Sequence, residues 1–296
     1  MYEFHCLTDQ FFPTKAESSG PFTTTDNLFF EPLTELLAYA RRKQPQLLML
    51  LGPFVDAEHP HIKKGTIDTS YDEVFHLEIL RRLQDYVEYM GSEVRVILVP
   101  SIRDSNHDFV FPQPAFDIHP PDLRYQITSL TNPGMFEANQ VKVGCCTVDI
   151  LKQLSGEEMS RIPKDGTSND RMSRLANHIL NQRRHVVLYY LCGNLYTSYN
   201  TDGFYPLYPP AEGIPLDFSL APEALNITSI PEIIILPSDM KYFVKVLSLG
   251  GNEGEEQKKC ICINPGRLAK GEGGGTFAEL NYNGSPDMMN ASIIGI

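Results

Sequence analysis

The chain has 296 residues, a formal net charge of −12 and a sequence pI of about 5.1. This length suits one large domain or two small ones, and the apolar fraction of 42% is enough for a sizeable core. The acidic balance argues against tight, unaided binding to nucleic-acid phosphates and favours a basic protein partner. No apolar run is long enough to cross a bilayer, and MYEFHCLTDQ lacks the basic and apolar regions of a secretory signal.

The N-terminal part of the chain predicts an irregular segment, a helix and a strand, in that order. Residues 1–19 are expected to be irregular. Apolar residues spaced at i, i+3, i+4 and i+7 predict a helix over Leu33–Ala40, with the basic residues Arg41–Lys43 at its C-terminal end and Pro45 as its stop. The short apolar run Leu47–Leu51 is predicted to be a buried strand.

A second strand follows after a long helix. Ser70 and Glu73 form the pattern of a capping box, and Gly91 is expected to close the helix that starts there. The next apolar run, Val94–Val99, predicts a strand. Two strands separated by such a crossover favour parallel pairing with a right-handed connection, so Leu47–Leu51 and Val94–Val99 are predicted to be neighbours in one sheet.

The remainder of the chain predicts one more helix and several strands. The helix covers Met172–Leu180. The predicted strands are Val141–Thr147, Ile233–Leu236, Cys260–Ile263, Phe277–Leu280 and Ser292–Ile296. The stretch Gly271–Gly275 lacks the Gly-Lys-Ser/Thr ending of a phosphate loop and is predicted to be a tight hairpin between the strands on either side of it.

The six cysteines include no CxxC pair. We expect reduced, mostly buried thiols of an intracellular protein. A zinc site is the weaker alternative, because Cys260 and Cys262 would share one face of a strand but no second pair of ligands has zinc spacing.

Three polar loops follow apolar strands, which is where ligands bind in open α/β sheets. These loops are Gly52–His59, Ser101–Asp108 and Pro237–Tyr242. The loops invite comparison with calcineurin-like phosphoesterases, in which such loops hold two metal ions about 4 Å apart. Here Pro53 replaces a bridging aspartate, Arg103 stands where a metal ligand is needed, and no histidine follows His185. The sequence therefore predicts no catalytic residue, no metal site and no cofactor.

The positions that correspond to the lost site are treated as vestigial. They are Pro53, Asp56, Arg103, Asp104, His107 and Asn264. We expect Asp56 and Asp104 to cap loops or form salt bridges, with Arg103 anchoring its loop through a charge-assisted pair. The alternative enzymatic function is a residual phosphoesterase activity that uses a single metal ion bound by Asp56, Asp104 and His107.

Taken together, these stretches resemble the B subunits of DNA polymerase alpha, the accessory subunits of the polymerase alpha–primase complex. The matching stretches are Gly20–Asp26, Leu51–His59, Val99–His107, Val110–Phe116, Tyr205–Pro210, Leu236–Val244 and Asn264–Leu280. The resemblance covers the chain from about Gly20 onward.

The resemblance implies an α/β fold with a calcineurin-like, phosphoesterase-type two-layered sheet core, flanking helices and no working active site. It also implies a non-catalytic, regulatory scaffold in the nucleus that acts in the initiation of DNA replication. The implied partners are the C-terminal domain of the polymerase alpha catalytic subunit and, through the complex, the primase subunits. DNA would be contacted only weakly or indirectly, and no membrane is involved.

The chain departs from the family pattern in three ways. We expect residues 20–296 to form the inactive phosphoesterase-like domain, without the helical and oligonucleotide-binding-type domains that precede it in the family. The first strand of that domain is expected to be lost or altered. Arg184–Gly203 is interpreted as an insertion or a splicing artefact, whose Tyr-, Val- and Leu-rich sequence would expose an apolar strand.

Aromatic residues among prolines are the candidates for contact with a partner. They are Phe111, Phe116, Tyr205 and Tyr208, which we expect to be exposed anchors. The alternative is that they pack the core of the domain. If the chain is a binding protein, the alternative to binding a protein partner is direct contact with single-stranded nucleic acid.

Overall fold

The structure is a computed structural model that describes residues 14–118, 126–138, 140–159, 170–181, 184–187, 198–201, 203–227, 229–249, 258–282 and 288–296. The helices are α1 Glu31–Lys43, α2 Pro60–Lys63, α3 Tyr71–Val74, α4 Arg81–Met90, α5 Ile150–Glu157, α6 Arg171–Asn181 and α7 Ala221–Ala224. A π-helical segment, Phe75–Leu80, joins α3 to α4.

The strands are β1 Thr14–Ser19, β2 Leu47–Leu51, β3 Arg95–Val99, β4 Ile127–Ser129, β5 Gly134–Ala138, β6 Val141–Cys145, β7 Arg184–Val187, β8 Ser198–Thr201, β9 Ile233–Ile235, β10 Phe243–Leu249, β11 Lys258–Asn264, β12 Ala269–Lys270, β13 Gly273–Gly274, β14 Thr276–Asn281 and β15 Asn290–Gly295. Sheet I has the order β15-β14-β1-β2-β3-β4, and sheet II has the order β10-β11-β9-β6-β5. The α/β class and the flanking helices expected from the sequence are confirmed.

The two sheets pack face to face, and helices cover both outer faces. One core cluster lies between the sheets and joins β2, β3 and β14 to β6, β9 and β11. A second cluster packs α1 and α4 on the outer face of sheet I, and a third packs α5 and α6 on the outer face of sheet II. The architecture is thus helix, sheet, sheet, helix.

Strand β2 shows why an unbroken apolar run suits this position. Side chains alternate between the two faces of a strand. Leu47 and Met49 lie in the cluster between the sheets, whereas Leu48 and Leu50 pack against the helices. Both faces are buried, so an apolar side chain suits every position of the strand. Strands β2 and β3 pair in parallel, as predicted.

The helix ends agree closely with the sequence signals. Helix α1 ends at Lys43, and Gln44 follows in the left-handed conformation with φ 54°. The Ser70 side chain accepts a hydrogen bond from Glu73 N (3.2 Å), which confirms its place as the N-cap. Gly91, with φ 84°, closes the helical run. The predicted helix over Met172–Leu180 is confirmed as α6.

The expectation of an irregular segment before Gly20 is wrong for Thr14–Ser19. These residues form β1, which lies inside sheet I between β14 and β2. A strand is therefore present ahead of Gly20, and its identification as an altered first strand of the family stays a prediction. Its side chains Lys15 and Glu17 are buried on the face opposite Ala16. Residues 1–13 lie outside the described residues.

The proposed hairpin between Cys260–Ile263 and Phe277–Leu280 is also corrected. Strand β11 belongs to sheet II and β14 belongs to sheet I, so the connection crosses from one sheet to the other. A small local hairpin, β12 with β13, lies within this connection. The crossover follows from the position of β14 beside β1, which a local turn signal could not reveal.

Most of the suggested insertion Arg184–Gly203 lies outside the described residues. Its ends form a two-stranded antiparallel ladder in which Arg184–Val187 pairs with Ser198–Thr201. The interpretation as an insertion stays a prediction. No helix in the described parts of the chain is long and apolar enough to span a membrane.

Candidate functional site

The loops that follow strands of both sheets meet at one edge of the molecule. Arg267, after β11, donates from Nη1 to the Oγ of Ser19 at the end of β1 (3.0 Å). The hydroxyl of Thr147, after β6, donates to the carbonyl of Pro100 after β3 (2.7 Å). This edge is where the sequence places its vestigial positions.

Pro53 and its neighbour Gly52 bring the loop after β2 very close to the loop after β3. Both residues are buried. A Cβ atom on Gly52 would lie 2.5 Å from Asp104 Oδ2 and 2.9 Å from the Cβ of Ser101. Only glycine fits this approach, and the proline beside it offers no side-chain metal ligand. The sequence Gly-Pro therefore allows the two loops to pack closely.

Asp104 is a buried carboxylate that ties these two loops together. Its Oδ1 accepts hydrogen bonds from the backbone N–H groups of Phe54 and Val55, the latter at 3.1 Å, and its Oδ2 accepts from Ser101 N at 2.8 Å. Burial raises the pKa of Asp104 to about 7, and the three hydrogen bonds oppose that rise. Asp104 thus holds the two loops together, and both of its carboxylate oxygens already accept hydrogen bonds from backbone N–H groups.

Asp56 and Arg103 form a paired contact across the same loops. The guanidinium donates to both carboxylate oxygens, with Nε 3.0 Å from Oδ1. The Asp56 side chain is only 6% exposed, while that of Arg103 is 36% exposed. A bidentate arginine fixes the orientation of a carboxylate and neutralises its charge. A metal cation would have to displace this fixed positive charge.

His107 and Asn264 are committed to structural hydrogen bonds. The Nε2 atom of His107 lies 2.9 Å from the carbonyl of Pro114, and its ring packs 4.6 Å from the ring of Phe116. The Oδ1 atom of the buried Asn264 accepts from Ser238 N and Gly266 N, each at 3.0 Å. Both residues hold loops in place.

Arg267 is a central residue to which the sequence patterns assign no role. Besides Ser19, its guanidinium contacts Asp239 (Nε to Oδ1, 3.0 Å) and Asp149 (Nη2 to Oδ2, 3.8 Å). Lys152 also binds Asp239, at 2.9 Å. These cations lower the pKa of Asp239 against the effect of burial. The aspartates come from the loops after β6 and β9. The sequence signal for this place was the stretch Asn264–Arg267, which corresponds to the late histidine motif of the phosphoesterases but contains no histidine.

Two sets of arginine–carboxylate contacts thus occupy the strand-end edge. In the described part of the chain, no group of three or more His, Cys, Asp or Glu side chains is placed to hold a metal ion. Asp56, Asp104 and His107, the residues of the single-metal alternative, are each engaged with protein groups. No observation favours that alternative.

The cysteines that the structure describes are free and buried. They are Cys145, Cys146, Cys260 and Cys262. Burial raises the pKa of the Cys146 thiol to about 12, so this group is a poor nucleophile and a poor ligand. Cys260 and Cys262 do share one face of β11, and that face packs in the apolar cluster against α5 and α6.

Three of the four candidate partner-binding aromatics are not exposed. Phe111 is fully buried, and Phe116 and Tyr205 are each 7% exposed, so these three pack the core, as the alternative allowed. The ring of Phe111 packs against that of Tyr205 with centroids 5.8 Å apart, and its N–H donates to the carbonyl of Pro215 (2.9 Å) in a distant segment. Tyr208 is 65% exposed and remains a candidate.

Comparison with known proteins gives a consistent result. The family of the B subunits of DNA polymerases alpha and epsilon matches residues 17–190, which is more than half of the chain. The B subunit of mouse DNA polymerase alpha is 32% identical over 92% of this chain and 40% of its own length. The Schizosaccharomyces pombe protein is 32% identical over 89% of this chain and 41% of its own length. The Drosophila melanogaster protein is 31% identical over 89% of this chain and 36% of its own length.

The chain therefore spans about two fifths of the length of these curated relatives. One solved crystal structure aligns with 96% of this chain and 98% of its own at a TM-score of 0.38 and 14% identity, a likeness too low to assign a fold. The sequence match is what identifies the family. The chain belongs to the family of DNA polymerase alpha and epsilon B subunits.

Proposed function

We propose that this chain is a non-catalytic scaffold that binds the C-terminal domain of the DNA polymerase alpha catalytic subunit during the initiation of replication in the nucleus. The observation that carries the non-catalytic part of the proposal is the strand-end edge. There Arg103 and Arg267 are bound to buried or half-buried carboxylates. Family membership makes polymerase alpha the natural partner.

The same proposal interprets the fold as a degenerate relative of the calcineurin-like phosphoesterases. Residues Thr14–Ile296 would form that domain, starting with β1 rather than at residue 20. The arginine contacts act as permanent substitutes for bound metal, because a guanidinium supplies positive charge between loop carboxylates without coordination chemistry. The loops would then keep their shape for protein contacts at any metal concentration.

The test is co-expression with the C-terminal domain of a polymerase alpha catalytic subunit, followed by size-exclusion chromatography with light scattering. We expect a one-to-one complex. A chain that is folded by circular dichroism but elutes separately from that domain would refute the scaffold proposal for this part of the protein. The primase subunits would associate with this chain through the complex.

Two measurements separate the rival functions. Manganese-dependent hydrolysis of a chromogenic phosphodiester should be absent, and turnover that Asp104→Ala abolishes would overturn the non-catalytic proposal. A labelled single-stranded oligonucleotide should not bind near physiological salt, because the net charge is −12. Salt-dependent binding of that oligonucleotide would favour a nucleic-acid-binding module.

A further inference from the structure

Exposed apolar side chains are concentrated in two neighbouring segments, residues 104–118 and 203–227. Of the twelve large apolar side chains that stand out as exposed among the described residues, five lie here. They are Phe109, Val110, Tyr208, Phe218 and Leu220, and their exposed fractions run from 37% to 65%. The rings of Tyr208 and Phe218 contact each other, with centroids 6.0 Å apart. Such clustering is typical of a binding surface rather than of scattered surface residues.

The charge of these segments is of one sign. Together they contain six aspartates and glutamates and no lysine or arginine. Asp108, Glu212 and Glu223 are exposed. Asp217 accepts two hydrogen bonds from Ser219, which lower the pKa of its carboxyl group. Asp104, one of the six, is buried and does not contribute to the surface, whose negative charge comes from the exposed acidic side chains.

The backbone under these side chains is firmly held. The N–H of Phe111 donates to the carbonyl of Pro215 (2.9 Å), and the N–H of Asp217 donates back to the carbonyl of Phe111 (2.7 Å). The buried Tyr205 hydroxyl donates to Gln153 Oε1 and accepts from Ala211 N, both at 2.9 Å. A surface that is already ordered loses little conformational entropy on binding.

A polar groove continues the surface beyond Phe109. It has a volume of about 550 Å³ and lies between the start of α3 and the loop after β3. Asp72 and Asp108 both line it, together with the aromatic residue Tyr71. Two carboxylates beside an aromatic ring suit a lysine or arginine side chain, through charge and through contact with the ring face.

We propose that these features form one binding surface for a basic, apolar segment of a partner protein. The surface comprises Phe109, Val110, Tyr208, Phe218 and Leu220 with Asp72, Asp108, Glu212, Asp217 and Glu223, and we call it the aromatic–acidic surface. Apolar side chains of the segment pack on Tyr208 and Phe218, and its lysines or arginines bind the surrounding carboxylates. A nucleic acid would be repelled by the same carboxylates. The inference goes beyond the scaffold proposal, because it holds whether or not the chain binds the catalytic subunit.

The probe is a fluorescein-labelled synthetic peptide of twelve residues in which arginine or lysine alternates with leucine or tryptophan. Fluorescence anisotropy with the full chain should show saturable binding that weakens as salt is raised. The same peptide with glutamate at every basic position should not bind. Equal binding of the two peptides, or no binding of the basic one, would overturn the proposal.

Three variants locate the site. Tyr208→Ser/Phe218→Ser should weaken binding by about tenfold or more, because the aromatic anchors are lost. Glu212→Gln/Glu223→Gln should weaken it several-fold and reduce its salt dependence. Tyr89→Ser/Glu88→Gln, an exposed aromatic and acid on α4, is the matched control and should bind like the unaltered chain.

All these substitutions are at exposed positions, so each variant should keep the circular dichroism spectrum of the unaltered chain. If the control loses as much affinity as the Tyr208/Phe218 variant, the peptide binds through general charge and the surface is not the site. A single-stranded oligonucleotide that displaces the peptide at equal concentration would assign the surface to nucleic acid and overturn the proposal.

Discussion

Asp104 and Glu17 are both buried carboxylates, and their surroundings differ completely. Asp104 lies in the loop after β3, where three backbone N–H groups donate to its two oxygens. Glu17 lies on β1 in the middle of sheet I, and its Oε2 has no hydrogen-bond partner among the described residues. The nearby Lys15 Nζ is equally without a hydrogen bond there, although it lies 5.7 Å from the centre of the Tyr282 ring.

The contrast shows that the local backbone decides whether a buried charge stabilises a fold. A loop leaves N–H groups free to bind a carboxylate, so Asp104 replaces the hydrogen bonds that these groups would make with water. In a strand the backbone N–H groups are used by the neighbouring strands, which leaves none for the side chain of Glu17. Removing the two carboxyl groups should therefore have opposite effects on stability.

The largest effect is expected for Asp104→Ala. The change leaves three buried N–H groups without an acceptor, which should lower the free energy of unfolding by about 3–5 kcal/mol. Urea unfolding followed by circular dichroism measures this. Asp104→Asn keeps one acceptor oxygen and should lose less. Equal unfolding midpoints for Asp104→Ala and the unaltered chain would show that the carboxylate does not brace the loops.

Replacing the charges on β1 should act in the other direction. Lys15→Met/Glu17→Leu fills the same space with apolar groups and should raise the free energy of unfolding by about 1–4 kcal/mol. Glu279→Leu on the neighbouring strand β14 is not an equivalent change, because Glu279 accepts a hydrogen bond from Tyr39. That variant serves as the control and should not stabilise. A double variant at Lys15 and Glu17 that is less stable than the unaltered chain would remove the contrast.

The pH dependence of stability tests Glu17 by itself. Burial raises the pKa of Glu17 to about 8 from its ordinary 4.5, against the attraction of Lys15. The folded state therefore holds the proton more tightly than the unfolded state. This contribution to stability is complete below pH 4.5 and is lost as the pH rises to about 8.

Between pH 6 and pH 7 the unaltered chain should lose up to about 1.4 kcal/mol relative to Glu17→Gln, which cannot titrate. The measurement is a pair of urea unfolding curves for each protein at the two pH values. Burial also raises the pKa of Asp104 to about 7, and this contribution is common to both proteins and cancels in the difference. If the free energy of unfolding changes equally with pH in the unaltered chain and in Glu17→Gln, then the Glu17 side chain is accessible to water.

The smallest effect is expected at the pair Asp56–Arg103. Arg103→Lys keeps the charge but removes the bidentate geometry, so a loss of about 1 kcal/mol is expected. The exposed pair of Lys63 with Glu58 offers the control, because Lys63→Ala should change the free energy of unfolding by less than about 0.5 kcal/mol. The unfolding midpoints of the two variants decide the point. If they are the same, the contact of Arg103 with Asp56 has no more weight than an exposed ion pair.

The elements predicted correctly carry their signals locally. Leu47–Leu51 is apolar on both faces, and the Ser70 cap with Gly91 marks both ends of a helix. Thr14–Ser19 (TKAESS) has no such signal. It becomes a strand because β2 and β14 pair with its two edges, and these contacts come from distant parts of the chain.

The candidate site was likewise predicted only where the signal is local in the sequence. The sequence alone identified Pro53 and Arg103 as residues that do not suit a metal site. It did not show that Arg267 reaches Asp149 and Asp239, because these residues meet only when the two sheets pack together. The exposure of Phe111 was predicted wrongly for a similar reason, since the segment that covers it begins about a hundred residues later.

The position of β1 also determines when the protein can finish folding. Residues Thr14–Ser19 pair with β14, so that Thr14 lies opposite Asn281. As the ribosome makes the chain, the edge of β1 that pairs with β14 stays open until residues Thr276–Asn281 have been synthesised. Contacts of such long sequence separation slow folding and leave an unpaired edge exposed for that time. During synthesis, β1 is therefore a strand whose open edge could pair with another chain before β14 is available.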